Sequence, residues 1–209
     1  MKRILLSVLS LILILTFTIP FTSCKAKLES DPPKLEDIRE RLIYLIEESK
    51  ELNVIFFGKG LPVYEHDSEI SNRKMLYFGN NTGNYERVTE NSEYQTPEAI
   101  KLAAEKVYSK NYTSALYESA FDGVMTGSTS AYVRFYDSVD GFMQNKNATE
   151  FKVEERIYDY STLKLIEPSN ADYINVEIES YSLSDKNIKK IYLSFIYENG
   201  NWYLDSPSY

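Results

Sequence analysis

The 209-residue sequence contains one cysteine and one histidine. A single cysteine excludes an internal disulfide framework and leaves too few sulfur ligands for a cysteine-cluster metal site. The lone histidine, His66, cannot build a histidine-rich zinc site. His66 stands between Glu65 and Asp67, and an exposed polar loop is the favoured interpretation of that segment. We therefore expect no metal.

Basic residues are scarce, with 23 Lys and Arg against 31 Asp and Glu and a formal charge of -8. This deficit argues against a nucleic-acid partner, because binding to a phosphate backbone needs a basic surface. The sequence also lacks a glycine-rich phosphate loop, a Gly-x-Ser-x-Gly elbow and a His-Glu-x-x-His helix. The absence of these motifs predicts a protein without a cofactor and without catalysis. The hydrophobic residues, 43% of the chain, are enough for a packed core.

The N-terminus has the order of a secretory signal. Lys2 and Arg3 precede an uncharged apolar stretch from Ile4 to Ile19, and the only cysteine, Cys24, follows shortly after Pro20. The tetrapeptide Phe21-Thr22-Ser23-Cys24 resembles the lipobox of bacterial lipoproteins, although the usual leucine is replaced by phenylalanine.

The lipobox resemblance implies a signal peptide over residues 1–23 that is removed, and a lipid with acyl chains such as palmitate on Cys24. The protein would then sit on the extracytoplasmic side of a bacterial cell membrane. The mature chain would have 21 basic and 31 acidic residues. An uncleaved membrane anchor is one alternative, because the 18 residues from Ile4 to Phe21 are near the lower limit for a span. Ordinary cleavage that leaves a free Cys24 is the other.

After the N-terminus, the sequence predicts a tether over residues 24–34 and a single domain over residues 35–209. Pro32-Pro33 and the absence of periodicity mark the tether. A first helix is indicated by apolar residues at spacings of three and four from Leu35 to Leu52. Thr96 followed by Pro97 predicts the start of a second helix, and Thr113 is predicted to cap a third that ends at Gly123.

Strand patterns dominate the later part of the chain. Ile174, Val176 and Ile178 alternate with polar residues, which is typical of a strand with one buried face. Asn199-Gly200 predicts a tight hairpin over residues 191–205, with Tyr197 opposite Trp202 and Phe195 opposite Leu204. Further strands are predicted at 75–78, 85–88, 131–137, 151–158 and 163–166.

These elements predict an α+β fold, with N-terminal helices packed on one face of a curved antiparallel sheet and strands concentrated in the C-terminal half. An aromatic-rich sheet and a terminal Gly-x-Trp-x-Leu-Asp hairpin, Gly200 to Asp205, resemble cystatin-like and NTF2-like domains over about Thr96–Tyr209. The helix region Thr96–Tyr117, with its Val-Tyr and Tyr-Thr steps, is similar to the IseA-type cell-wall endopeptidase inhibitors. That second resemblance implies an inhibitor or regulator of a cell-wall hydrolase.

Tyrosine is abundant, at 18 residues, and it suits recognition surfaces because it combines a large rigid ring with a hydroxyl group. Its preference for strands and half-buried surfaces is the favoured explanation of the abundance. The candidate binding surface consists of Tyr173, Tyr181, Tyr192, Tyr203, Glu177 and Glu179. We expect a non-catalytic binding or accessory module with a protein or glycan partner in the cell envelope. The weaker alternative is a hydrolase that uses the two glutamates.

Overall fold

A computed structural model describes residues 30–64, 74–78, 81–123, 125–126, 129–130, 133–146 and 153–209. The predicted signal peptide, Cys24 and His66 lie outside the described residues. Within them, no helix is both long enough and apolar enough to cross a membrane.

Three α-helices are described: α1 at Leu35–Phe56, α2 at Pro97–Val107 and α3 at Lys110–Tyr117. The Thr96 cap is confirmed, because its side chain accepts a hydrogen bond from the backbone N–H of Ala99 at 3.1 Å. The predicted Thr113 cap is wrong. Ser109 caps α3 by accepting from the N–H of Tyr112 at 3.0 Å, and Thr113 lies inside the helix, where its hydroxyl donates to the carbonyl of Ser109.

A π-helical turn, Glu118–Asp122, continues α3, and the chain leaves it at Gly123 with a φ of 75°. A positive φ at this point is easily adopted only by glycine. The predicted end of the third helix at Gly123 is therefore confirmed, although the last turn is wider than an α-helix.

Within the described residues, the strands form two four-stranded antiparallel sheets and a two-stranded ribbon. The first sheet has the order β1-β2-β6-β5, the second has the order β10-β9-β8-β7, and β3 pairs with β4. The bounds are β1 Lys74–Phe78, β2 Asn81–Arg87, β3 Met125–Thr126, β4 Thr129–Ser130, β5 Phe135–Ser138, β6 Gly141–Asn145, β7 Arg156–Ile166, β8 Tyr173–Ser182, β9 Lys189–Glu198 and β10 Asn201–Leu204. The predicted α+β class, with an N-terminal helix and strands concentrated in the C-terminal half, is confirmed.

The prediction of separate strands at 151–158 and 163–166 is wrong, because one strand, β7, runs without a break from Arg156 to Ile166. Residues 151–152 lie outside the described residues, and 153–155 are not part of a strand. The register of β7 with β8 shifts between Asp159 and Lys164. Side chains replace the interrupted ladder there: Ser161 donates to the Asp159 carboxylate at 2.6 Å, and the hydroxyl of Thr162 accepts from the N–H of Glu179 at 2.9 Å. These polar residues resemble a turn in the sequence but form a bulge inside one strand.

The C-terminal hairpin is confirmed in its turn and its register. Asn199 and Gly200 both have positive φ, 50° and 86°, as a type I′ turn requires. Tyr197 pairs with Trp202 and Phe195 pairs with Leu204. Phe195 and Leu204 are fully buried, whereas Tyr197 near the turn is exposed and packs its ring against Trp202.

Helix α1 covers the inner face of the second sheet. It contributes the buried side chains Leu42, Leu45 and Ile46, and the sheet contributes Ile174, Val176, Ile178, Leu193, Phe195 and Leu204. Arg41 Nε also donates to the carbonyl of Trp202 at 3.1 Å. Deleting a buried leucine from such a core costs about 2–5 kcal/mol of folding free energy, so this packing fixes which face of the sheet is internal.

A buried group of polar side chains fastens the segment after β10 to α1. Asn53 Nδ2 donates to Ser208 Oγ at 2.8 Å, and the hydroxyls of Ser49 and Ser208 lie 2.6 Å apart. The hydroxyl of Tyr108 donates to Asn53 Oδ1 at 2.9 Å, and that of Tyr158 donates to the carbonyl of Ser208. We call these five residues the polar cluster.

The first sheet holds the C-terminal end of α1. Arg134, just before β5, donates to the carbonyls of Ile55 and Gly58, so a buried cation meets the negative end of the helix dipole. Gln144 accepts from the N–H of Leu61 at 2.6 Å and occupies the space where a Cβ on Gly60 would lie. Both sheets are therefore attached to α1, and the outer face of the second sheet points away from it.

Candidate functional site

All six residues of the predicted binding surface lie on the outer face of the second sheet. Along β8, Ile174, Val176 and Ile178 are buried, and the residues between them face outward. Directly opposed residues in neighbouring strands share a face. We call this face the tyrosine face and define it by Tyr173, Tyr181, Tyr192, Tyr203, Glu177 and Glu179.

The strand register arranges the tyrosine face in rows that cross the sheet. One row joins Lys164, Glu177 and Tyr192. The row beside it joins Asp159, Glu179 and Lys190. At one end of the face Tyr181 pairs with Ile157, and at the other end Ile196 lies between Tyr173 and Tyr203. Aromatic and apolar side chains thus occupy both ends of the face, with charged rows between them.

Glu177 is the electrostatic centre of the tyrosine face. Its Oε1 lies 2.9 Å from the Nζ of Lys164 and 3.0 Å from the Nζ of Lys190. Hydrogen bonds from these two ammonium groups lower the pKa of Glu177 to about 2. The carboxylate therefore stays ionised at any physiological pH and is neutralised by two cations.

Tyr173 belongs to a closed set of hydrogen bonds rather than to the open part of the face. Its hydroxyl donates to Asn175 Oδ1 at 2.7 Å, and Ser194 Oγ donates to the same oxygen at 2.8 Å. Tyr203 lies on the edge strand, where the guanidinium of Arg41 is 5.6 Å from its ring. These two tyrosines are positioned by the domain itself.

Tyr192 is the most accessible aromatic ring of the tyrosine face. It is 59% exposed, and Ile157 at the far end is 39% exposed. Burial of an exposed aromatic ring against a partner is a common source of binding energy at recognition surfaces. The tyrosine face therefore combines an exposed aromatic ring with neighbours whose side chains are already held in place.

Sequence reasoning missed Lys164, Lys190, Ile157 and Ile196 as members of this face. The signal was present in β9, where Lys190, Tyr192, Ser194 and Ile196 alternate with the inward-facing apolar residues. It was hidden in β7, because the bulge changes the alternation between Asp159 and Lys164. The positions of Lys164 and Ile157 on this face therefore follow only from the register of β7 with β8.

The tyrosine abundance has two separate origins. Tyr85, Tyr108 and Tyr158 are buried, and each donates its hydroxyl to an interior acceptor. Burial raises the pKa of Tyr158 to about 12, so its hydroxyl keeps its proton and remains a donor. Part of the tyrosine content therefore serves the core, as strand preference alone predicts, and only the outward-facing rings are available for recognition.

A cleft of about 500 Å³ lies between the end of α1 and the start of β7. Its lining includes Lys50, Lys59, Arg156 and Tyr209. Lys50 is paired with Glu47 at 2.6 Å, and Arg156 is paired with Glu154 at 2.8 Å. Two of its cations therefore already have carboxylate partners.

Across the described segments, no group of three or more histidine, cysteine, aspartate or glutamate side chains is arranged to hold a metal ion. A comparison of the chain with protein-family models finds no family that matches, and a comparison with curated proteins finds no match either. The functional proposal below therefore rests on the geometry of the protein's surfaces.

Replacing Glu177 by glutamine is expected to lower stability in a pH-dependent way. The pKa of Glu177 in the folded state is about 2, below its ordinary value of 4.5. The ionised group therefore stabilises the fold above about pH 5, and this contribution is lost as the pH falls toward 2. Urea unfolding should show a lower midpoint for Glu177→Gln at pH 7, with the difference from wild type shrinking below about pH 4.5 and closing only as the pH approaches 2.

Glu179→Gln is the matched control, because Glu179 lies on the same strand and face without a described ion pair. It should change the midpoint less at pH 7. A difference for Glu177→Gln that stays constant from pH 7 to 3 would contradict the ion-pair assignment.

Proposed function

We propose that the chain is a lipid-anchored extracytoplasmic bacterial protein whose domain binds a partner protein of the cell envelope through the tyrosine face. The observation that supports this proposal is the gathering of all six predicted residues on one sheet face, with Tyr192 59% exposed. Helix α1 covers the opposite face, so the tyrosine face is the side of this sheet that a partner can reach.

The composition of the tyrosine face favours a protein partner. Tyrosine is enriched at protein interfaces because its ring buries a large area while its hydroxyl can still form a hydrogen bond. The rows between the aromatic ends contain both cations and anions, since Lys164 and Lys190 flank Glu177. A partner with complementary charges would gain orientation from these rows and binding energy from the rings.

The state of Glu177 supports binding rather than hydrolysis. A glycosidase needs a carboxylic acid with a raised pKa that can donate its proton to the leaving group. Glu177 has its pKa lowered to about 2 by Lys164 and Lys190, so it holds no proton to donate near neutral pH. Glu177 is therefore unsuited to the role of proton donor in a hydrolase, and its ion pairs with Lys164 and Lys190 suit a fixed element of a binding surface.

The anchor part of the proposal rests on the sequence around Cys24 and on the start of the domain. The described chain before α1 has no regular structure from Ser30 to Lys34, and Lys34 has extended backbone angles. Such a segment fits a tether between a lipid and the domain. Without residues 1–23 the chain has 21 basic and 31 acidic residues, and this net negative charge would repel anionic headgroups, so attachment depends on the lipid.

Replacing Cys24 by alanine is expected to release the protein from the membrane. Each buried CH₂ of an acyl chain contributes about 0.8 kcal/mol, and at least two chains are needed for stable attachment. Detergent phase partitioning should move Cys24→Ala to the aqueous phase, and labelling with a palmitate analogue should be lost. Retention of the variant in the detergent phase would support an uncleaved anchor instead.

A photoreactive amino acid at position 192 is expected to form a discrete cross-linked protein adduct in intact cells. Position 197 is the matched control, because Tyr197 lies on the same strand, is 44% exposed and faces the other side. Changing Tyr181 and Tyr203 to alanine should reduce the adduct from position 192 by at least about tenfold if these rings contribute about 1.4 kcal/mol in total.

Equal adducts from positions 192 and 197, or no adduct from position 192, would contradict the proposed use of the tyrosine face. Attachment of the label to glycan rather than to protein would contradict the choice of a protein partner.

A further inference from the structure

A groove with a volume of about 460 Å³ runs between α1 and α2, away from the tyrosine face. The two helices are antiparallel here: Arg41, early in α1, donates to the carbonyl of Lys106 near the end of α2 at 3.1 Å, and Glu51, late in α1, adjoins Tyr94 just before α2. The part of α1 that lines the groove, from Tyr44 to Glu51, is about 10 Å long, or about two helical turns.

The walls of the groove consist of one stripe from each helix. Helix α1 contributes Tyr44, Glu48 and Glu51 at helical spacing, and Leu52 and Val107 form the buried floor. The stripe from α2 contains Ala99, Leu102, Ala103 and Lys106. Residues at these spacings lie on one side of a helix. The groove therefore lies between two rows of side chains that run side by side, one from each helix. A third helix can pack into a groove of this kind.

Apolar side chains in the groove are open to solvent. Leu102 is 60% exposed and Tyr44 is 42% exposed. On the same stripe as Leu102, Ala99 and Ala103 present small side chains to the groove, which allow the backbone of another helix to approach closely. Two exposed apolar residues beside small ones provide the anchors of a helix-in-groove contact.

The charged side chains that line the groove are mostly carboxylates. Glu48, Glu51 and Glu93 form no ion pair among the described residues, whereas Glu47 is already paired with Lys50. Burial and the neighbouring carboxylates of Glu93 and Glu48 raise the pKa of Glu51. Burial and the same carboxylates raise the pKa of Tyr94 to about 12. These carboxylates repel one another, and a cation placed among them would relieve that repulsion.

We propose that the groove between α1 and α2 is a docking site for a basic amphipathic helix of a partner protein. The apolar side of that helix would cover Leu102 and Tyr44, and its lysine or arginine side chains would lie over Glu48, Glu51 and Glu93. Charge complementarity selects a basic helix over an acidic or neutral one. This site is separate from the tyrosine face, so it does not depend on the function proposed above.

The test uses the full chain in nanodiscs of zwitterionic lipid, so that a basic probe is not drawn to the membrane. The probe is a fluorescent synthetic peptide of about 18 residues, with leucine on one helical side and lysine on the other. A peptide of the same composition in scrambled order is the second probe. We expect the ordered peptide to bind at least about tenfold more tightly than the scrambled one.

Charge reversal separates the groove from general electrostatic attraction. Glu48→Lys with Glu51→Lys should weaken binding of the ordered peptide at least about tenfold. Glu40→Lys with Glu118→Lys is the matched control, because it changes the net charge equally at two exposed carboxylates that do not line the groove. It should weaken binding less than about threefold. Leu102→Asn, which leaves the charge unchanged, should also weaken binding.

Three results would overturn the proposal: equal weakening by the two charge-reversal variants, equal binding of the ordered and scrambled peptides, or displacement of the ordered peptide by calcium chloride but not by sodium chloride of equal ionic strength. Circular dichroism and thermal unfolding of each variant show whether it is folded. Loss of binding in a variant that unfolds like wild type is the supporting result.

Discussion

The buried hydrogen bonds between α1 and the segment after β10 decide which surfaces this domain offers. Ser49 and Asn53 meet Ser208 inside the protein, and Tyr108 completes the set through Asn53. A buried polar group without a partner costs about 1–3 kcal/mol, so these groups stabilise the fold only when α1 and the segment are both in place. They hold α1 on the inner face of the second sheet and leave the tyrosine face open.

The two candidate surfaces differ in how their charges are balanced. On the tyrosine face, Glu177 is neutralised by Lys164 and Lys190, so rings and register provide the recognition features. In the groove, Glu51 and Glu93 lie close together and have no described counter-ion. The first surface is suited to a partner with mixed charge, and the second to a cation-bearing helix.

Local patterns in the sequence predicted those parts of the fold that depend on near neighbours. The Asn199-Gly200 turn fixed the register of the last hairpin, and the alternation around Val176 correctly separated the inner from the outer face. The predicted cap of α3 is wrong because serine and threonine are both good capping residues. The backbone of Ser109 is extended, as a capping position requires, whereas Thr113 lies inside the helix. Two strands were predicted where the bulge near Asp159 interrupts one.

Other features depend on contacts between distant segments, and no local pattern encodes them. Tyr158 and Tyr192 both lie on strands of the second sheet, yet Tyr158 belongs to the polar cluster and Tyr192 is exposed, because α1 covers only one side of the sheet. The groove was not predicted for the same reason: Glu93 meets Glu51 only after α2 packs against α1. The alternation of β8 and β9 places Glu177 and Lys190 on the outer face, but the bulge in β7 hides the position of Lys164 beside Glu177.

A double-mutant cycle at Asn53 and Ser208 tests most directly whether α1 is held on the inner face of the second sheet. The free energy of unfolding is measured by urea for wild type, Asn53→Ala, Ser208→Ala and the double variant. Because the two side chains share a buried hydrogen bond of 2.8 Å, we predict a coupling energy of at least about 1 kcal/mol. Additive effects of the two substitutions would contradict this position of α1 and, with it, the assignment of inner and outer faces.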